Sequence, residues 1–181
     1  MNDSEIIRDV LNGDQKKYAL IVEKYQSNVF RTAIGFVHSK EDAEDIAQDV
    51  FIQAFRLLGS FEGKSELSTW LYRITVNRSI NFLKSEKRKR FWSSFTNAFQ
   101  PVSKENPVMR RLEDAEENLF VKKAIDALPE NQRTAFVLRK YEGLSQKETA
   151  NIMRLTEGAV EQLLIRAKIN LRKKLGSFVG K

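Results

Sequence analysis

The chain has 181 residues, of which 41% are apolar, and a net charge of +7 at pH 7; that suffices for one full-sized domain or two small ones and excludes a wholly disordered chain. With no cysteine there is no disulfide framework and no thiolate metal site. No apolar run approaches a membrane span, and the opening "MNDSEIIRDV" lacks the basic and apolar segments of a secretory signal, so a cytoplasmic protein without membrane insertion is expected.

Charge is placed unevenly. Net values are −4 over residues 1–70, +6 over 71–90, −2 over 91–120 and +7 over 121–181. Two basic zones in an otherwise acidic or neutral chain suit a polyanion contacted at two places, with the acidic part left for a different partner.

Apolar spacing reads as helix almost throughout. Leu20, Ile21, Tyr25, Val29 and Ala33 follow a three-to-four period,. Residues 40–58, "KEDAEDIAQDVFIQAFRLL", predict a second helix with Ala43, Ile46, Ala47, Val50, Ala54 and Leu58 on its buried row. Its other face carries Asp42, Asp45, Asp49, Ile52 and Arg56, with Gln48 beside them. An acidic face holding an apolar residue fits a basic protein partner better than DNA; on pattern alone, a solvated surface accounts for it more simply.

Gly59 and Gly63 interrupt the pattern, and a further helix is predicted from about Ser68 to Arg88,. On it Trp70, Arg73, Asn77, Asn81 and Lys84 fall within an arc of roughly 80° at 100° per residue. Leu67, Leu71 and Ile74 lie beside that arc, and Tyr72, Val76, Ile80 and Leu83 line the opposite side. Rings stack on unpaired bases, amides bond base edges and cations follow the backbone, so an exposed stripe of this kind suits single-stranded or opened DNA. Trp70 and Tyr72 are equally readable as core residues, as aromatics at helical spacing usually are.

Residues 91–118 hold two of the three prolines and no steady period, which makes them the candidate linker, although Phe91, Trp92, Phe95 and Phe99 are unusual in a free tether. Helices are then predicted at about 115–127, 130–140, 145–153 and 157–175. Ser145 and Glu148 form a capping box at the start of one, and Thr156 can cap the next, about three residues after the first ends,. Ala150, Val160, Leu164, Ala167 and Leu171 are spaced to bury one face. Glu161, Gln162, Ile165, Arg166 and Lys168, then Arg172, Lys173 and Lys174, occupy the other. This pattern matches a helix-turn-helix whose second helix enters the major groove. Gln162 and Arg166 suit base edges; Lys168, Arg172, Lys173 and Lys174 suit phosphates. Glu161 repels phosphate, and fits there by accepting from a cytosine amine or by pairing with a basic side chain. The fold expected is all-α: two small helical domains, 1–90 and 119–181, joined by a linker over 91–118.

Taken in order, "AEDIAQDVFIQAF", "FEGKSELSTWLYRITVNRSINFL" and "LPENQRTAFVLRKYEGLSQKETANIMRLTEGAVEQLLIRAKINLRKKL" closely resemble the extracytoplasmic-function (ECF) sigma factors, over about residues 10–90 and 120–176. The resemblance implies a protein that binds core RNA polymerase, recognises −10 and −35 promoter elements and promotes DNA opening for transcription initiation. It implies that Asp45, Gln48, Asp49, Ile52 and Phe55 grip the clamp helices of the largest polymerase subunit, and that the polymerase flap is a further contact. Phe61, Lys64 and Ser65 would lie in the loop that captures a flipped −10 base, flanked by Trp70, Arg73, Asn77 and Asn81. Thr156, Glu161, Gln162, Ile165, Arg166, Lys168, Arg172 and Lys173 would meet the −35 element, and the basic run Lys84 to Arg90 the backbone near −10. An anti-sigma factor is the implied regulator. Glu161 departs from the basic or small polar residue common at its position, so the family's commonest −35 sequence does not carry over. The aromatic linker is a second departure.

No catalytic constellation is legible. The lone histidine, His38, stands at a predicted helix end beside Ser39 and Lys40 and is expected to cap the helix or face water. No phosphate-binding glycine loop and no metal or cofactor site is expected. The competing class is a helix-turn-helix regulator that binds an operator independently of polymerase; the acidic helix and aromatic stripe argue against it. A purely protein-binding adaptor would not need the C-terminal positive charge.

Overall fold

The computed structural model describes residues 2–96 and 112–179, and no strand occurs among them. Eight α-helices are described: α1 (Asp3–Leu11), α2 (Tyr18–Val37), α3 (Lys40–Leu57), α4 (Leu67–Thr96), α5 (Leu112–Asp126), α6 (Glu130–Lys140), α7 (Gln146–Met153) and α8 (Glu157–Val179). The all-α expectation holds, and the predicted starts and ends of the C-terminal helices fall within a few residues of these.

The first domain is a bundle of α1 to α4. Ile21, Val29 and Ala33 of α2 meet Ala43, Ile46, Val50 and Ala54 of α3 and Leu67, Leu71 and Ile74 of α4. Ile6, Ile7 and Val10 of α1 close one end of this core. The elements read from the sequence begin at Leu20, which leaves out α1, although Ile6, Ile7 and Val10 have helical spacing. Yet Asn2 and Glu5 form a reciprocal capping box at the start of α1, the kind of signal that identifies α7. Leu20 corrects the reading in a second way: its side chain is 41% exposed and lies off the core.

The α2–α3 corner is tight because His38 takes a left-handed conformation at φ 58° as the C-cap of α2. Ser39 then caps α3, its hydroxyl accepting from the Asp42 amide. Both ends of the stretch read as linker are helical. Residues 91–96 continue α4 and 112–118 open α5; 97–111, with Phe99, lie outside the described residues.

In the second domain Ala124, Ile125, Leu128, Ala135, Val137, Leu138, Ala150, Ile152, Val160 and Ala167 are buried. Part of that core is shared. Val137, Leu138 and Ile152 form one apolar cluster with Phe36 of α2 and Tyr72 and Val76 of α4, so the two domains are packed against each other. The side of α4 expected to be buried is buried, and its neighbours are α6 and α7.

Candidate protein and nucleic-acid interfaces

On α3, Asp45, Gln48, Asp49, Ile52 and Phe55 are exposed together, Ile52 at 43% and Phe55 at 37%. Of these, Gln48, Ile52 and Phe55 border an open groove of about 660 Å³ shared with Tyr18 and Val22 of α2, whose charged lining residues are Lys16 and Arg56; Asp45 and Asp49 stand on the same helix but do not line it. Tyr18, to which the sequence pattern assigns no role, organises this groove. Its ring packs edge-on against Phe55 at 4.9 Å, and its hydroxyl donates to the carbonyl oxygen of Phe51 at 2.8 Å. Burial raises the Tyr18 pKa, keeping the phenol a donor. Asp49 is paired with Arg78 of α4, a second partner the sequence does not single out. Exposed carboxylates at Asp45 and Asp49, on the same helix as the exposed Ile52 and Phe55, are the chemistry of a docking surface for a basic, partly apolar helix.

Between α3 and α4, a loop over residues 61–66 follows a short 3-10 turn at Leu58–Ser60. Gly63 provides the positive φ of 68° there. Phe61 and Trp70 lie with ring centroids 5.2 Å apart at 49°, both half-buried against the first core. Ser65 is half-buried, whereas Lys64 is exposed and paired with Glu62.

The helical stripe expected to be open is only partly so. Asn77 and Asn81 are exposed, but Arg73 donates through Nη2 to the Asn151 carbonyl at 2.7 Å and through Nε to that of Ile152 at 3.3 Å. Burial, and then the nearby Arg154, lower the Arg73 pKa. Lys84 lies 2.8 Å from a Glu130 carboxylate oxygen. Arg73 and Lys84 of this stripe thus meet carbonyls and a carboxylate of the second domain.

The helix-turn-helix follows the expected local chemistry. Ser145 and Glu148 cap α7 reciprocally, and the bond to Ser145 holds the Glu148 carboxyl below its ordinary range. Arg154, at φ 56°, turns the chain. The Thr156 hydroxyl accepts from the Ala159 amide at 3.2 Å, and Gln146 Nε2 donates to the Glu157 carbonyl at 2.9 Å, tying the two helices together. Glu161, Gln162, Ile165, Arg166, Lys168, Arg172 and Lys173 are all exposed. Ile165, with Glu161 and Lys168, also borders a mostly apolar groove against Phe136 of α6.

His38 caps α2 as expected, but does not face water. Its side chain is 8% exposed and Nε2 lies 3.2 Å from Asp126 Oδ1. Asp126 also pairs with Arg133, whose guanidinium donates to the Phe36 carbonyl. Burial works against ionisation of Asp126, but the nearby His38 imidazole and the Arg133 charge outweigh it and lower its pKa; the His38 Nε2 contact falls outside hydrogen-bond geometry. Among the described residues no three or more His, Asp or Glu side chains cluster as a metal would require, and no helix is long and apolar enough to cross a membrane.

Two family descriptions fit these two domains: Sigma-70 region 2 matches residues 21–89 and Sigma-70, region 4 matches residues 121–171. The RNA polymerase sigma-H factor of Pseudomonas aeruginosa is 34% identical, over 96% of this chain and 93% of that protein. The ECF RNA polymerase sigma-E factor of Escherichia coli is 35% identical, over 99% of this chain and 97% of that one. The fold is similar to that of CnrH, solved with the cytosolic domain of CnrY (TM-score 0.67, 23% identity, 97% of each chain). It is also similar to the sigma factor RpoE of Bartonella quintana, solved with the anti-sigma factor NepR (TM-score 0.60, 26% identity, 89% of this chain and 98% of that one). The chain belongs to the ECF sigma factors, small two-domain members of the sigma-70 family.

Proposed function

We propose that this chain binds core RNA polymerase, directs it to a bipartite promoter and promotes DNA opening, with residues 1–90 serving core binding and the −10 element and 119–181 the −35 element. The observation that carries this reading is the coexistence in one chain of an exposed helix-turn-helix face, Gln162 and Arg166 included, with the exposed acidic and apolar side chains of α3. A regulator bound only to an operator needs the first and has no use for the second.

In this reading Asp45, Gln48 and Asp49 pair with basic side chains of the polymerase clamp helices while Ile52 and Phe55 add apolar area; the flap meets the C-terminal domain. Loop 61–66 receives a base flipped from the non-template strand beside the Phe61–Trp70 pair. Stacking and groove contacts there offset the lost base pairing, as in other base-flipping systems. The protein supplies binding energy and no bond chemistry, so it acts as a cytoplasmic initiation factor and not as an enzyme. Its regulator is an anti-sigma factor, as in the RpoE complex with NepR.

Run-off transcription of fragmented genomic DNA by sigma-free core polymerase, with and without the chain, tests this directly. New RNA starts sharing two spaced upstream motifs are expected. Absence of any such starts, despite measured DNA binding, would leave the operator-binding regulator as the surviving reading.

A further inference from the structure

Glu161 is the single acid among residues 158–181, and it stands exposed on α8 with Gln162, Ile165 and Arg166. Two causes within the protein could account for a carboxylate there, and neither applies.

A basic partner is the first. Among the described residues no basic side chain lies within ion-pair distance of Glu161, although Arg139, Lys140, Lys168 and Arg172 line the groove that it borders. Arg139 is held instead by the Leu144 carbonyl. One turn away along α8 stand Glu157 and Gly158 before it and Leu164 and Ile165 after it. No favourable i,i+3 or i,i+4 pair is available, and Glu157 repels it. The helix dipole is the second cause. Since α8 opens at Glu157, Glu161 lies in the second turn, beyond the first-turn range over which the dipole favours an anion.

Glu161 therefore carries a charge that nothing in the protein compensates and that opposes DNA phosphate, on the helix that the proposed function lays in the major groove. Compensation has to come from the bound duplex, as a hydrogen-bond donor on a base edge. The major-groove edges differ in this respect. Guanine presents two acceptors, N7 and O6, and thymine the acceptor O4, and each repels a carboxylate. Adenine sets its N6 donor beside the N7 acceptor, so one carboxylate oxygen gains a bond while the other faces a lone pair. Cytosine alone offers an amine, N4, with no acceptor of its own beside it.

We infer that Glu161 is a specificity residue: its carboxylate accepts from cytosine N4, and the −35 element of this chain holds a C·G pair at the position Glu161 faces. This role rests on the use of α8 as a base reader proposed above, and names the base that the departure at Glu161 selects.

A selection from duplexes with a randomised upstream segment tests it in two arms. In one, the full chain with core polymerase acts on the library and transcribed templates are recovered; in the other, the full chain alone is used and bound duplexes are recovered. The unaltered chain should enrich a motif with one C·G pair preferred at least about fivefold over each other pair. Glu161→Gln should convert that position alone to A·T, adenine entering in place of cytosine, because an amide meets adenine N6 and N7 together. Glu161→Ala should leave the position without preference. Both variants should bind duplexes lacking the motif more tightly, since repulsion of phosphate is gone, and melt no lower than the unaltered chain. A motif unchanged at every position in both variants would overturn the role of Glu161. So would a change confined to a position where the unaltered chain prefers A·T, or adenine entering in place of guanine. If only the arm without polymerase enriches a motif, the sigma reading fails and the base chosen by Glu161 is still read there. If neither arm enriches one, α8 reads no bases and Glu161 selects none.

Discussion

Arg31 meets Glu142 at two points, Nε to Oε1 and Nη2 to Oε2, each at 3.3 Å, and the Glu142 side chain has no solvent exposure. Tyr72, itself accepting from Asn28, donates its hydroxyl to the same carboxylate at 3.0 Å. Despite these partners, burial prevails and raises the Glu142 pKa above its ordinary value, while burial pushes the Tyr72 pKa up to about 12. The charged carboxylate is thus disfavoured in the folded protein relative to the unfolded chain. A carboxyl with a raised native pKa contributes stability that is full below its unfolded value, 4.5, and is lost as pH rises through the native one,. Glu142→Gln removes the charge and keeps one acceptor oxygen, enough for the Arg31 Nη2 and Tyr72 bonds but not for the Arg31 Nε bond. It should melt only slightly lower than the unaltered protein at pH 8, and the difference between the two melting curves should shift further in favour of the unaltered protein as pH falls toward 4. If Glu142→Gln melted far lower at pH 8, attraction to Arg31 would outweigh burial after all.

Asp49 presents a different balance. Its pairing with Arg78 is solvent-exposed on both sides, and such pairs contribute about 0–1 kcal/mol to folding. Asp49→Asn should therefore leave the melting temperature nearly unchanged while weakening core polymerase binding about tenfold or more in a competition assay with a fluorescent sigma factor. A large loss of stability with unchanged core affinity would assign Asp49 to the fold instead.

How far these surfaces can be read from sequence depends on the range of the interactions involved. The helix-turn-helix is legible because Ser145, Glu148 and Thr156 act within three residues of themselves, and the α8 faces follow from one period. The α3 face is legible for the same reason. The domain packing is not: Arg31 and Glu142 are 111 residues apart and Arg133 and Phe36 97 apart, and no local pattern pairs them. Gly35 resembles any helical glycine until Val137 is found above it. For His38, neighbours Ser39 and Lys40 suggest water, whereas Asp126, at the far end of α5, determines its surroundings. The α1 helix is the exception, since the Asn2–Glu5 box stands in the sequence to be read.

The α8 face separates base readout from phosphate binding. Gln162→Ala or Arg166→Ala should relax selectivity at individual −35 positions, at about 1–3 kcal/mol each against the preferred base. Lys173→Ala should weaken all sequences alike and reduce the salt dependence by about one counterion. Binding of the isolated −35 duplex, measured over a series of single-base changes and salt concentrations, distinguishes the two. Equal losses on every sequence from all three variants would remove the base-reading role.

Phe61 and Trp70 touch each other but differ in what else they do. Trp70 stands on α4, one position before core residue Leu71 and half-buried against the same core, whereas Phe61 lies in the loop. Trp70→Ala should lower the melting temperature as well as promoter opening; Trp70→Phe, which keeps a ring at the core edge, should restore most of the stability. Phe61→Ala should act chiefly on opening, through loss of a stacking surface worth about 1–3 kcal/mol per base, or roughly five- to a hundredfold in open complex. Permanganate reactivity of unpaired thymines near −10 reads opening, and thermal melting reads the fold. If Phe61→Ala lowered melting as much as Trp70→Ala and left permanganate reactivity intact, the pair would be a packing device alone, and the captured base would have to be sought elsewhere on the loop.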